Sequence, residues 1–382
     1  MIRIFLTGDN HFGKRYSRYK GIEDRLMESR YESLERMVQK AEKESCDFFV
    51  VAGDLFDRTD KIPQKDIRRI VQILAAFNGT VLVLPGNHDY YTGEESVWKF
   101  FEKTVSDEGP NIVLLNSFEE YEYTVGDETV VVYPAFCQLK HSKENNLGWI
   151  RSASVRTEGV INIGIAHGSL AGLSPDLKNE YFLMTGDELK AIPVDAWLLG
   201  HTHIQYPADL CEDRDTPGYR IFNPGTHEQT DLSNNTEGCG FILTITKEGS
   251  VATVAARKYV SGKIRYYDLP VSVSPDSETA LRDAIGKVVS GIVKEDAIVR
   301  LTLTGTVGKD EYASKGAIYR ELLQDFLFYE TDDKELSEEI TIDRVREEYA
   351  ETSFAAKLLE ELTEDPAELQ MAYRMLAECK DE

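Results

Sequence analysis

Apolar and polar positions along the first two hundred residues separate short strands from longer helices. Residues 3–7 (RIFLT), 47–52 (DFFVVA), 80–84 (TVLVL), 160–166 (VINIGIA) and 195–199 (DAWLL) are short apolar runs, the pattern of strands buried on both faces. Between them, 24–44 carries Leu26, Leu34, Met37, Val38 and Ala41 at helical spacing. The stretch 63–77 opens on Pro63, which suits a first helical turn, and 94–106 also reads as a helix. Strands alternating with helices predict an α/β layered fold.

The texture changes near residue 219. Short strand patterns dominate to 269 (YRIFN, GFILTIT, SVATVAARKYV, KIRYYDL) and predict a second sheet beside the first. From 270 the order becomes helix (277–293), strand (297–304) and helix (314–327), a small domain over 270–335. Residues 336–382 form an acidic helical tail broken at Pro366. The expected division is therefore 1–269, 270–335 and 336–382.

No apolar run approaches the length of a membrane span, and the opening MIRIFLTGDNHFG turns polar too early for a signal peptide. The five cysteines (Cys46, Cys137, Cys211, Cys239 and Cys379) are scattered without a CxxC pair. Reduced thiols and a cytoplasmic location are expected. The net charge of −24 argues against nucleic acid at face value, but 20 acidic and 6 basic residues lie from Glu321 onward, so much of the excess belongs to the tail.

Five motifs sit just beyond strand ends: Gly8-Asp9-Asn10-His11, Gly53-Asp54-Leu55-Phe56-Asp57, Gly86-Asn87-His88-Asp89, His167-Gly168 and Gly200-His201-Thr202-His203. Ligands of open α/β sheets bind beyond the carboxyl ends of strands. The inventory is carboxylate, amide and imidazole without thiolate, which suits manganese, iron or zinc. The residues divide into Asp9, His11 and His203 for one metal and Asn87, His167 and His201 for another, with Asp54 between them. Two such cations clamp a phosphoryl group and activate water. His88 adjoins Asn87 and is free for proton transfer, with Asp89 expected to orient it. His141 reads as a loop residue, whereas His227 could lie near the site.

The five motifs in this order resemble the calcineurin-like metallophosphoesterases. That resemblance implies a four-layer sandwich of two sheets flanked by helices, spanning about 1–269, and supports the ligand division. The flanks TGDNHFGKRY and VVAGDLFDRTDKIPQ look like the DNA-repair exonuclease branch, which includes bacterial SbcD and the archaeal and eukaryotic Mre-eleven nuclease subunits. It implies a manganese-dependent DNA nuclease, a capping domain at 270–335 and a tail that binds a coiled-coil, SMC-like ATPase. A small-molecule or RNA phosphodiesterase and a scaffold subunit are the alternatives.

Three further expectations concern surfaces. Lys14, Arg15, Arg18, Arg58 and Lys61 follow the first two motifs and are expected to contact DNA phosphates. Ile67, Ile70, Val71 and Leu74, with Val97, Trp98 and Phe101, offer two apolar stripes for a homodimer through 63–77 and 94–106. In the tail, Phe354, Leu358, Leu359 and Leu362, and then Leu369, Ala372, Tyr373 and Leu376, offer two apolar faces to the ATPase, after a charged linker at 332–351.

Overall fold

In a computed structural model of the chain, the structure describes residues 1–378 apart from 174, 175, 177 and 235. Contacts divide it into two units, Met1–Tyr266 and Tyr267–Glu382.

The first unit begins β1 (Ile2–Thr7), α1 (Glu23–Lys43), β2 (Phe48–Val51), α2 (Gln64–Ala75), β3 (Thr80–Val83), α3 (Ser96–Glu108) and β4 (Ile112–Leu114). There follow β5 (Tyr121–Val125), β6 (Glu128–Ala135), α4 (Gly148–Ser152), β7 (Val160–His167), α5 (Gly186–Ala191) and β8 (Ala196–Gly200). Two short strands, β9 (Thr216–Pro217) and β10 (Ile221–Phe222), precede the long hairpin of β11 (Cys239–Glu248) and β12 (Val251–Val260). One sheet has the order β4-β3-β2-β1-β11-β12-β9 and the other β10-β8-β7-β6-β5. Strands β1, β2 and β3 pair in parallel, as do β6, β7 and β8, so each set sends its following loops off one edge. The β7–β8 register sets His167 opposite Gly200, which brings the loop carrying His201 beside it.

The sandwich follows from strands that bury both faces. On one face Ile4, Leu6, Phe48 and Val50 meet Val130, Val132, Ile163 and Leu198 of the other sheet. On the opposite face of the first sheet, Phe5, Phe49 and Val81 pack under Leu34 and Met37 of α1, Ile70 and Leu74 of α2 and Trp98 and Phe101 of α3. Beyond the second sheet, Tyr133, Trp197 and Leu199 pack with Ile150 of α4 and Leu189 of α5. The result is helices, sheet, sheet, helices.

The two stripes expected at a homodimer seam are used within the chain: Ile67, Ile70, Val71, Leu74, Val97, Trp98 and Phe101 are all buried against the first sheet. The strands β4, β5 and β6 were not anticipated. The tract TVVVYPA of β6 is apolar enough to signal a strand, but acidic and turn residues around it mask the signal.

The second unit has β13 (Arg265–Val273), α6 (Ala280–Val289), β14 (Ala297–Val307), α7 (Lys309–Leu323), β15 (Phe328–Glu338), α8 (Ile342–Glu348), α9 (Phe354–Glu361) and α10 (Pro366–Glu378). Its sheet runs β13-β14-β15, with β14 and β15 parallel. The central β14 buries Val299, Leu301 and Leu303 against Leu281 and Ile285 of α6 and Ile318 and Leu323 of α7. Two expected boundaries move. The first falls within β13, at Tyr266/Tyr267, and the one set at 335/336 cuts through β15. The sequence of β15, FYETDDKELSE, has little apolar content because it is an edge strand.

The tail is also corrected. The expected linker at 332–351 holds the end of β15 and all of α8, and buries Leu336, Ile340, Val345 and Tyr349. Leu359 and Leu369 are buried in the same cluster, with Leu362, Ala372, Tyr373 and Leu376 packed against it. Leu359 and Leu362 of the first face thus meet the second face, whereas Phe354, expected in the first face, is exposed, as are Met371 and Met375. Cys379 lies outside the described residues. No helix among those residues is long and apolar enough to cross a membrane.

Candidate metal centre

The loops after β1 and β2 run side by side. Main-chain N–H groups of Asp9, His11 and Phe12 donate to the carbonyls of Gly53, Asp54 and Leu55 at 3.0, 2.9 and 2.9 Å. Asp9, His11, Asp54 and His201 all take positive φ, at 50°, 46°, 51° and 95°, a region costly for side chains other than glycine. Four such residues in one place mark a backbone bent to aim side chains inward. The motif glycines serve close approach. A Cβ on Gly53 would lie 2.0 Å from His167 Nδ1, and one on Gly86 would lie 2.2 Å from Asp54 Oδ1.

The seven expected ligands meet. His11 Nε2 and His203 Nε2 are 3.1 Å apart, and His203 Nε2 is 3.9 Å from Asp9 Oδ1. Asn87 Oδ1 lies 3.0 Å from His167 Nε2 and 2.9 Å from His201 Nδ1. Asp54 Oδ2 stands between the two groups, 3.6 Å from His11 Nε2 and 3.4 Å from His167 Nε2. Backbone donors hold both carboxylates: His88 N–H reaches Asp54 Oδ1 at 2.8 Å, and His201 N–H reaches both oxygens of Asp9 at 2.9 and 3.0 Å. The main-chain oxygen of Ala52 lies 2.9 Å from His167 Nδ1, which leaves Nε2 facing the centre.

The donor set fits a pair of divalent cations. Asp9 and Asp54 are buried, and among the described residues their ion-pair partners are histidines only. Burial pushes the Asp9 carboxyl up to about 7. Burial opposes ionisation of Asp54 too, but His167 foremost, with His11 and His88, holds it well below the usual carboxylate range. Burial and the neighbouring His167 push His201 down to about 3, and burial with His11 pushes His203 well below its ordinary value. Neutral imidazole is the form that ligates a metal. His167 is the exception. Burial lowers it, but Asp54 outweighs that and raises it to about 9, a proton that metal binding would displace.

His88 lies beside the two groups, its ring 4.7 Å from that of His11. The expected partnership with Asp89 is absent. Asp89 is fully buried and accepts from Gly86 N–H at 2.6 Å and Phe56 N–H at 2.9 Å, so it shapes the loop rather than the imidazole. His88 Nδ1 instead lies 3.2 Å from the main-chain oxygen of Asp57. The Asp57 carboxylate lies 3.4 Å from His11 Nδ1. Asp57 thus touches two of the site histidines. Its one sequence signal was its place as the second aspartate of GDLFD.

A cleft of about 600 Å³ opens onto the centre, lined by Asp54, Asn87, His88, His201 and His203 on one side and Asp176, Tyr181, Ile204 and Asp231 on the other. No Lys or Arg lines it among the described residues. Of the expected phosphate contacts, Lys14 is half-buried and feels Asp57 and Asp231, and Arg58 pairs with Asp57 at 3.3 Å. Arg15 and Arg18 are exposed, and Lys61 pairs with Asp60 at 3.7 Å. His141 is exposed, its ring 5.0 Å from that of Tyr181, which in turn is 5.0 Å from that of His201. His227 is buried and does not line the cleft, with Nε2 3.1 Å from the carbonyl of Arg30.

Known proteins share parts of this chain. An uncharacterized metallophosphoesterase, YhaO of Bacillus subtilis, is 29% identical over 184 residues, covering 47% of this chain and 42% of that protein. The DNA double-strand break repair protein Mre11 of Aeropyrum pernix is 33% identical over 92 residues, covering 23% of this chain and 21% of that protein. The chain therefore spans less than half the length of these curated relatives. A crystal structure of a dimetal phosphatase from Danio rerio aligns with TM-score 0.37 and 13% identity, over 66% of this chain and 98% of that one. The family model described as calcineurin-like phosphoesterase matches residues 2–205, and the chain belongs to that family of metal-dependent phosphoester hydrolases.

Proposed function

We propose that the protein is a manganese-dependent DNA nuclease that hydrolyses phosphodiester bonds at a dinuclear centre, and that it works as the nuclease subunit of a complex with a coiled-coil, SMC-like ATPase. The observation that carries the hydrolytic part is Asp54 Oδ2, set 3.6 Å from His11 Nε2 and 3.4 Å from His167 Nε2, where one carboxylate serves both groups of donors. Asp9, His11 and His203 would hold one cation, and Asn87, His167 and His201 the other. Bound divalent cations supply Lewis acidity to the phosphoryl oxygens and to the attacking water.

The chain's own residues do the rest. Backbone donors keep Asp9 and Asp54 in fixed rotamers. The Asp57 carbonyl accepts the His88 Nδ1 proton, which leaves Nε2 to hold or pass a proton at the edge of the cleft. The DNA substrate is supported by the partial likeness to the Aeropyrum pernix repair protein and by the flanking sequences of the first two motifs. An ATPase partner would have to use Phe354, Met371 and Met375, the large apolar side chains that the tail leaves exposed.

One observation favours a second reading, a phosphodiesterase for small molecules or short RNA. The cleft wall carries Asp176 and Asp231 and, among the described residues, no Lys or Arg, which is poorly suited to a polyanion. Turnover of linear duplex, single-stranded DNA and a chromogenic bis-ester, each with and without Mn2+, separates the two. The nuclease reading requires manganese-dependent cleavage of DNA. Cleavage of the bis-ester alone supports the second.

A further inference from the structure

Arg30 lies in the middle of α1, outside every motif, and is 2% exposed. Its guanidinium reaches across to the loop after β1. Nε donates to the carbonyl oxygen of Asn10 at 2.9 Å, and Nη2 donates to that same oxygen. Nη1 donates to the hydroxyl of the buried Tyr16 at 3.1 Å. A buried cation is thus used on a carbonyl and a phenol rather than on a carboxylate.

The position of that carbonyl gives the contact its meaning. Asn10 stands between Asp9 and His11, whose φ values are 50° and 46°. On one side the loop is fixed by the three N–H donors described above, which run into the β2 loop. On the other side Arg30 grips the intervening carbonyl. Two left-handed residues flanking a third persist only where surrounding contacts over-determine them. Two charge-assisted hydrogen bonds to one oxygen are a strong form of such a contact. The helix is itself anchored behind: the Arg30 carbonyl lies 3.1 Å from His227 Nε2, and Ser33 Oγ donates to the His227 carbonyl at 2.9 Å.

We propose that Arg30 is a positioning residue for one half of the metal centre: through the Asn10 carbonyl it holds Asp9 and His11 in the strained backbone that aims them at a shared cation. The inference rests on the two-metal reading above. It distinguishes the two halves, because Asn87, His167 and His201 come from β3, β7 and β8 loops that Arg30 does not touch. Outer residues that orient ligands typically contribute about 10–100-fold to metal affinity.

The test uses the full chain, stripped of metal and titrated with Mn2+ by calorimetry, with electron paramagnetic resonance to report the spin-coupled pair. Wild type, Arg30→Gln, Arg30→Lys and Lys247→Met are compared. Lys247 is buried and paired with Asp195 at 2.8 Å at a different part of the same unit, so its loss controls for plain destabilisation. Arg30→Gln is expected to weaken one of the two binding events about 10–100-fold and leave the other unchanged, so that the coupled signal needs more metal to appear. Arg30→Lys, which keeps one charged donor, should recover part of the affinity, and it carries the comparison if the glutamine variant does not fold. Lys247→Met should lower thermal stability without changing either affinity. Arg30 variants that bind both ions as wild type does would overturn the proposal, as would a Lys247→Met protein that loses the same affinity. A wild type that takes up one ion contradicts the two-metal reading instead, and Arg30 is then judged by whether its replacement weakens that ion.

Discussion

Nδ1 of His88 lies 3.2 Å from the main-chain oxygen of Asp57, and this pairing sets which ring nitrogen carries the proton. His88 stands outside the seven expected ligands; its ring nitrogen converges with donor atoms of His11 and Asp57, and it lines the cleft beside them. His88→Asn is expected to lower kcat about 10²–10⁴-fold on a bis-ester while metal content stays at the wild-type value. Steady-state kinetics with elemental analysis on the same preparation decides it. A variant that loses its metal, or that turns over normally, has a different role for this ring.

Removing metal should cost stability. Asp9 and Asp54 are buried carboxylates, and burial, with the charge of Asp54, lifts Asp9 to about 7 against the pull of His167 and the His201 N–H, so bound cations would offset a cost of burial. A ligand present at about 100 times its Kd adds about 2.7 kcal/mol. Thermal unfolding should therefore move down when a chelator is added and recover with Mn2+. In Asp54→Asn the shift should be small.

A pH effect on stability is expected from Glu228, which lies apart from the ligands. Burial pushes its carboxyl up to about 7, although Oε1 accepts from the N–H groups of Lys263 and Ile264 at 2.8 and 2.6 Å. Oε2 has no partner. A carboxyl whose folded pKa is raised binds its proton more tightly in the folded state. Its contribution is complete below about 4.5 and is lost as pH rises through about 7. Glu228→Gln should therefore gain roughly 1–3 kcal/mol over wild type between pH 5 and pH 8. Denaturant unfolding of both proteins at the two pH values measures the difference, and an unchanged difference counts against it.

The motifs were legible because each places carboxylate, amide or imidazole directly after an apolar run, and glycine precedes four of the five. The α/β layering followed from the same runs, but the division into sheets did not: the strands expected to build a second sheet at 219–269 supply β11 and β12 to the first, antiparallel to β1, and the second sheet is made of β5–β8 and β10. The place of the two apolar stripes was ambiguous for a physical reason. Ile70 or Trp98 shows the same helical spacing whether a sheet or a second subunit covers it. Asp89 failed because adjacency in sequence says nothing about where a buried carboxylate turns, and it turned to backbone N–H groups. Arg30 and Tyr181 were illegible because their contacts join positions that no local pattern links: Arg30 reaches 20 residues back to Asn10, and the Tyr181 ring lies 5.0 Å from that of His201, from a loop without periodicity. The strand β15 was hidden by its charge.

For nucleic-acid binding, Lys14 and Arg58 are the two of the five expected phosphate contacts that neighbour Asp57 beside the centre. Replacing both with alanine should weaken DNA binding regardless of sequence and flatten the salt dependence by roughly one unit of slope per lost phosphate contact. Lys61→Ala should change little, since Lys61 is 75% exposed and already paired with Asp60. Binding titrations at several salt concentrations read the slope. An unchanged slope in the double variant removes these two residues from the DNA path.

The most direct test of the two-metal centre is anomalous scattering from crystals grown with Mn2+. Two peaks are expected, one among Asp9, His11 and His203 and one among Asn87, His167 and His201, separated by about 3.5–4 Å with the Asp54 carboxylate between them. A single peak, or an Asp54 carboxylate turned away from the metal, would contradict the account.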